Sequence, residues 1–160
     1  MSTLELRLLE LRVNIGGEPP LIVLQEVGGD RRLPIWTDFD GMTSVVAATE
    51  AAKAEAVCAQ ALIVDLLVAF EHKLEAVSIV DYEDGRFFAE ITVDKHTFNL
   101  RPTDAIALSI LAGCRITCTE KVLAAAGVFS EAGQEVERFR EFLDSVKPVD
   151  FSSDGLSGES

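Results

Sequence analysis

The stretch from Pro102 to Leu111 restricts the fold more than any other. Pro102 has the fixed φ and the missing N–H that suit the first turn of a helix. Gly113 supplies a stop. Between them, Ala105-Ile106-Ala107-Leu108-Ser109-Ile110-Leu111 is apolar nearly all round. A helix with no polar face has to be buried, since each side left in water forfeits the gain from removing apolar area. Neighbouring elements must therefore cover it.

The rest of the chain supplies strands and further helices. Leu4, Leu6 and Leu8 alternate, and Leu9, Leu11 and Val13 alternate in the opposite phase, which predicts a strand with a register break. Leu21 to Val27 and Arg32 to Thr37 flank Gly28-Gly29-Asp30 and read as a hairpin. Thr43 to Val68 is rich in Ala, lacks Pro and Gly, and reads as two helices broken near Glu55 to Ala59. In the second, Leu62, Leu66 and Ala69 with Ile63, Leu67 and Phe70 form an apolar face. Leu74 to Asp81 and Arg86 to Val93 are strands joined at Glu83-Asp84-Gly85, and Thr97 to Leu100 is a shorter one. After the buried helix come a strand at Arg115 to Cys118 and a short helix, Glu120 to Ala126, capped by Thr119. The apolar positions Val136, Phe139, Phe142, Leu143 and Val146 predict a last helix, which Lys147-Pro148 stops.

Strands at the front and middle with irregularly interleaved helices give an α+β fold. The expectation is a mixed, mainly antiparallel sheet with helices packed on it in a single domain. Its main part spans residues 1–130, a C-terminal helix 131–147 and a disordered Ser-, Gly- and acid-rich tail 148–160.

With 27 acids against 14 bases the net charge is −13. Nucleic-acid affinity comes largely from cations that replace phosphate counterions, so composition offers no basic footprint. No apolar run reaches the roughly 18–20 residues that cross a bilayer, and Met1 to Glu10 lacks the layout of a secretory signal. A cytoplasmic protein with no membrane association is expected. Cys58, Cys114 and Cys118 are an odd set and read as free thiols. Long stretches of Ala and Val in Thr43 to Val57, with an edge-rich sheet, point to a homo-oligomer.

Three stretches carry a resemblance. They are Leu33-Pro34-Ile35-Trp36 after a Gly-Gly turn; Val77-Ser78-Ile79-Val80-Asp81 with Asp84-Gly85-Arg86-Phe87-Phe88-Ala89; and Arg101-Pro102-Thr103-Asp104-Ala105-Ile106-Ala107-Leu108. Together they resemble the bifunctional nuclease (BFN) family, and Glu135 to Phe151 resembles its actinobacterial branch. The resemblance implies the family's fold and a metal-assisted nuclease, a hydrolase acting on DNA and RNA. By this resemblance the chain reads as a divergent member. Gly41 stands where the family carries a glutamate, and Glu55 to Ala61 lacks its Arg-Pro and Thr-His-Asp residues. The alternatives are a non-catalytic protein that keeps the fold for association or regulation, and a module for a small anionic metabolite near Arg101.

Under the nuclease reading, Arg101 binds phosphate through its planar fork, with Asp104 and Asp65 beside it as catalytic residues. Asp104 and Asp81 are the candidate ligands of Mg²⁺ or Mn²⁺. The plainer reading pairs Arg101 with Asp104 at a helix start. It leaves Asp81, Glu83 and Asp84 as solvated acids around a turn and Asp65 at a helix edge in water. Asp38 and Asp40 stand near the missing glutamate, and Asp40 reads as an N-cap. His72 at a helix end and His96 in a turn are the available general bases.

Overall fold

The computed structural model describes residues 2–13, 16–54 and 58–129. The expected C-terminal helix and tail lie outside the described residues. Two compact units divide the chain at residues 1–128 and 129–160, and of the second only Phe129 is described.

Eight strands form one sheet: β1 (Thr3–Arg12), β2 (Leu21–Glu26), β3 (Arg31–Trp36), β4 (Leu74–Glu83), β5 (Arg86–Val93), β6 (His96–Leu100), β7 (Ile116–Thr119) and β8 (Val128–Phe129). Their order is β6-β5-β4-β7-β1-β2-β3-β8. Four helices accompany them: α1 (Phe39–Ala54), α2 (Ala59–Ala69), α3 (Pro102–Ala112) and α4 (Glu120–Ala126). The fold is α+β. Antiparallel pairing dominates, and β4 with β7 is parallel.

Local chemistry accounts for most boundaries. The phase change in β1 is a bulge: pairing with β2 shifts between Leu8 and Glu10. Asp84 and Gly85 both take positive φ, as a two-residue hairpin turn demands, and seat Glu83 opposite Arg86. Gly113 ends α3 in the left-handed conformation at φ 68°. The Thr119 hydroxyl accepts from the Val122 amide at 3.2 Å and caps α4. Helix α1 begins four residues earlier than the sequence suggests, because Asp38 caps it by accepting from the Gly41 amide at 2.7 Å. The cap is therefore Asp38, with Asp40 in the first turn.

The core is the face of the sheet beneath α3. Ile22, Leu24, Leu33, Val77 and Ile79 from the strands and Ile106 from α3 are sealed from solvent. Helix α3 packs on β4 and β5 on one side and on α1 and α2 on the other, so its lack of a polar face has a structural cause. Helix α1 turns Met42, Val45, Ala48 and Ala51 inward. Part of the Ala- and Val-rich surface expected to meet another copy is thus covered within the chain, mainly by α3, while Val46 stays exposed. Helix α2 differs, with no residue fully buried. Among the described residues no helix is long and apolar enough to cross a membrane.

An arginine ties the sheet to α4. Arg31 donates from Nε and Nη2 to Glu26 at 3.1 and 3.0 Å, and from Nη1 and Nη2 to Glu120 at 2.8 and 3.2 Å. Hydrogen bonding to Arg31 holds both carboxyls below the ordinary glutamate value of 4.5. Groups with a depressed folded-state pKa stabilise the protein above their unfolded value, and that contribution is lost as pH falls through the folded one. Stability should therefore fall as pH drops below about 4.5, and Arg31→Gln should flatten this acid limb in urea titrations at stepped pH. In the core, Ile106→Ala should cost about 2–5 kcal/mol, read from the shift in urea midpoint at constant slope.

Candidate functional site

The first turns of three helices meet at Arg101. After β6 the chain stays extended at Arg101 (φ −64°, ψ 145°), as a residue before proline must. Pro102 then opens α3, and the Arg101 carbonyl accepts from the Ala105 amide at 3.0 Å. This places Asp104 one turn in, under the guanidinium. Arg101 donates from Nε to Asp104 Oδ2 at 2.8 Å and from Nη2 to Asp104 Oδ1 at 3.1 Å, a two-point fork. Nη1 reaches Asp40 Oδ2 on α1 at 2.8 Å. From α2, Gln60 Nε2 donates to Asp104 Oδ1 at 3.3 Å.

The two carboxylates hold Arg101 unequally. Asp104 keeps 25% of its side-chain exposure and Asp40 78%. An ion pair in open water contributes about 0–1 kcal/mol. The Asp104 edge is therefore a fixed mount, while the Asp40 edge is one that an anion of better geometry can take.

Beside Arg101 lies an open cleft of about 490 Å³. Its walls come from three distant stretches: Ile35 to Asp38 at the end of β3, Gly85 to Phe87 in the β4–β5 hairpin, and Arg101 to Thr103. Two arginines, Arg86 and Arg101, and the half-exposed Trp36 are among the residues that line it. Guanidinium forks match phosphate oxygens, and an exposed aromatic face stacks a base. Asp38 also lines the cleft, but its Oδ1 accepts from the Gly41 amide.

Gly41 shapes the floor of this region. A Cβ there would lie 2.3 Å from Thr37 Oγ1 and 2.9 Å from Thr103 Cγ2. A side chain at this position therefore requires Thr37 and Thr103 to give way. Thr103 is buried on α3. Gly41→Ala should force α1 and α3 apart at a cost of about 1–3 kcal/mol, visible as a lowered melting temperature.

The other predicted residues do not join Arg101 and Asp104. Asp65 is exposed on α2 and pairs with nothing among the described residues. It follows Gln60 by five residues, about 140° round the helix, so α2 reaches the site through Gln60 instead. Asp81 Oδ1 accepts from Lys121 Nζ at 3.1 Å and from the Tyr82 amide at 2.8 Å. Hydrogen bonding to Lys121 lowers its pKa. Glu83 and Asp84 are exposed at the hairpin. His72 Nδ1 contacts Asp94 Oδ2 at 2.5 Å and His96 Nδ1 contacts the Asp94 carbonyl at 3.2 Å, in a different groove from the Arg101 cleft.

A hard divalent cation needs several oxygens converging on one point. Among the described residues no three His, Cys, Asp or Glu side chains are so grouped, and Asp104 is engaged by Arg101 and Gln60. Among the described residues, then, no group is assembled as the Mg²⁺ or Mn²⁺ site that the resemblance implies would require. Gln60, Arg86 and Trp36 are the site residues that residue chemistry alone passes over. The signal for the last two was their place in the resemblance motifs, all of which border one cleft.

Two uncharacterised proteins of Mycobacterium tuberculosis, from strains CDC 1551 / Oshkosh and ATCC 25618 / H37Rv, are each 34% identical to the chain over 161 residues. The match covers 93% of this chain and 98% of each relative. The profile of the bifunctional nuclease domain matches residues 22–131, which hold every wall of the cleft. With the three motifs drawn to one place and the profile spanning them, the chain belongs to the bifunctional nuclease domain family.

Proposed function

We propose that this chain acts on nucleic acid in the Arg86–Arg101 cleft and serves there the phosphodiester hydrolysis for which its family is described. One observation carries the reading. Three stretches, separated by tens of residues and each part of the family resemblance, meet in a cleft with two arginines and an exposed tryptophan. Arg101 is the phosphate-binding residue. Asp104 fixes its Nε–Nη2 edge, and the strand displaces Asp40 from Nη1. Two cations on one side of a phosphate also stand where negative charge grows during in-line attack, which favours the transition state. A net charge of −13 opposes the approach of any polyanion, so binding is weak and is best seen at low salt.

A second reading keeps the cleft as a binding site without cleavage and gives the protein an associative or regulatory role. It is supported by the closed hydrogen bonding of Asp104 and by the absence, among the described residues, of an acid group able to gather a metal.

One experiment separates the two. Labelled single-stranded RNA and double-stranded DNA are incubated with the full chain in Mg²⁺, Mn²⁺ and EDTA, beside Arg101→Gln and Asp104→Ala. Cleavage that disappears in both variants is the result expected of the enzyme. Strand binding without cleavage, weakened by Arg101→Gln, assigns the second reading. No binding at low salt overturns both. Two phosphate contacts predict a slope of log K against log salt of about −1.4 on single strands. Asp40→Asn should tighten binding several-fold, because it removes the carboxylate that competes for Nη1.

A further inference from the structure

The floor of the Arg101 cleft collects polar groups that find no partner among the described residues. Thr103 is the first of them. It is only 4% exposed, yet its hydroxyl makes no hydrogen bond among the described residues. A buried hydroxyl is normally paired, and one that is not calls for a reason. Its oxygen is not sealed from solvent, and the residue lines the cleft. The methyl branch faces α1, standing 2.9 Å from where a Cβ on Gly41 would lie. That leaves the hydroxyl branch for the cleft. Thr37, just past β3, brings a second hydroxyl. Its Oγ1 lies 2.3 Å from the same point on Gly41 and is also unpaired among the described residues.

Helix α3 adds backbone donors at the same place. The first amides of any helix lack a partner within it. Pro102 has no N–H, and Arg101 supplies no side-chain cap. The earliest backbone bond runs from the Ala105 amide to the Arg101 carbonyl at 3.0 Å. The amides of Thr103 and Asp104 are thus unpaired among the described residues, at the positive end of an 11-residue helix. Arg101 contributes Nη1, which it shares only with the highly exposed Asp40. The acids nearby are occupied: Asp104 turns both oxygens to Arg101, and Asp38 Oδ1 accepts from the Gly41 amide. A helix start, a buried free hydroxyl and a guanidinium edge together make a site for an anion.

We propose that the Thr103 hydroxyl and the amides of Thr103 and Asp104 form, with Arg101, a seat for a phosphate group, and that this seat prefers a phosphomonoester to a phosphodiester. The proposal rests on the reading of the cleft as a phosphate site and adds which atoms hold the phosphate. Hydrolysis of a phosphodiester adds water across one P–O bond. It leaves a phosphomonoester on one strand end and a hydroxyl on the other, and the phosphate passes from one negative charge to two. Donors fixed by backbone and packing act most strongly where charge grows. A monoester offers three free oxygens to the hydroxyl, the amides and the guanidinium, and a diester offers two. The seat therefore holds the phosphate of the cleaved product, and Thr103 touches the group that reacts.

The test is a titration of the ¹⁵N-labelled full chain at low salt, followed by the amide resonances of Thr103 and Asp104. The probes are inorganic phosphate and a short single strand carrying a 5′-phosphate, a 3′-phosphate or neither. Phosphate should move both resonances. Thr103→Val keeps the shape and removes the hydroxyl, so it should weaken phosphate binding about tenfold, while Thr103→Ser stays near the wild type. A strand with a phosphorylated end should bind more tightly than the bare strand. Binding of free phosphate without binding of any strand supports the seat and makes its ligand a small phosphate. Resonances that stay still under phosphate overturn the seat, and this reading needs only the unaltered protein. Thr103→Val binding phosphate like the wild type also overturns it. Equal binding of bare and phosphorylated strands overturns the preference for a monoester. The seat and the nuclease reading fail separately. A chain that binds phosphate here and cuts nothing loses the second, and one that cuts at full rate as Thr103→Val loses the first.

Discussion

Enclosure of α3 is the constraint on which the structure depends. Beyond its first turn this helix is Ala, Ile and Leu with one serine, stable only if it finds apolar company, and the fold supplies that with the sheet below and two helices above. Even Ser109 conforms, donating its hydroxyl to the Cys114 carbonyl at 2.6 Å. Removing a buried hydroxyl's partner would be costly, so the turn after α3 is tied to the helix it ends. The N-terminus of this enclosed helix reaches solvent, and Arg101 stands there, beside the cleft.

Rigidity at that end has a chemical meaning. Arg101 would otherwise be a long, mobile side chain with considerable rotamer entropy to lose on binding. The two-point hydrogen bond to Asp104 and the support of Gln60 remove that freedom beforehand. A ligand then pays less to order it. The same arrangement draws Asp104 away from any second role, because a carboxylate that accepts from a guanidinium fork has little left to offer a metal ion. Positioning and metal binding would compete for this one side chain.

Much of the architecture was legible in the residues. Alternation with a phase change located the bulge in β1, Asp84-Gly85 located a hairpin, and Pro102 and Gly113 bracketed α3. What the sequence concealed depends on three dimensions. The start of α1 was hidden because a side chain before the helix, Asp38, reaches an amide three residues on. The apolar surfaces of α1 and α2 look alike as text. Only packing shows that one faces the core and the other faces outward. At the site, Arg101 with Asp104 was readable as an adjacent pair on one helix turn. Asp40 was noticed for another role, and Gln60 not at all, since periodicity says which residues share a face but not which face meets a neighbour. Gly41 was visible as a departure from the family pattern, and the closeness of Thr37 and Thr103 around it belongs to the folded chain.

Strand β7 enters the sheet between β4 and β1, parallel to one and antiparallel to the other. The first strand thereby pairs with nearly the last, Leu6 standing opposite Ile116. On a ribosome, β1 to β3 emerge and form their hairpins long before β7 exists. Until residue 119 clears the exit tunnel, one long edge of that early sheet has no partner, and its alternating leucines lie open. Loop-closure entropy makes such a distant pairing late and slow. The topology therefore sets a window during synthesis in which the nascent chain is open to aggregation, and the window closes only when β7 slides into place.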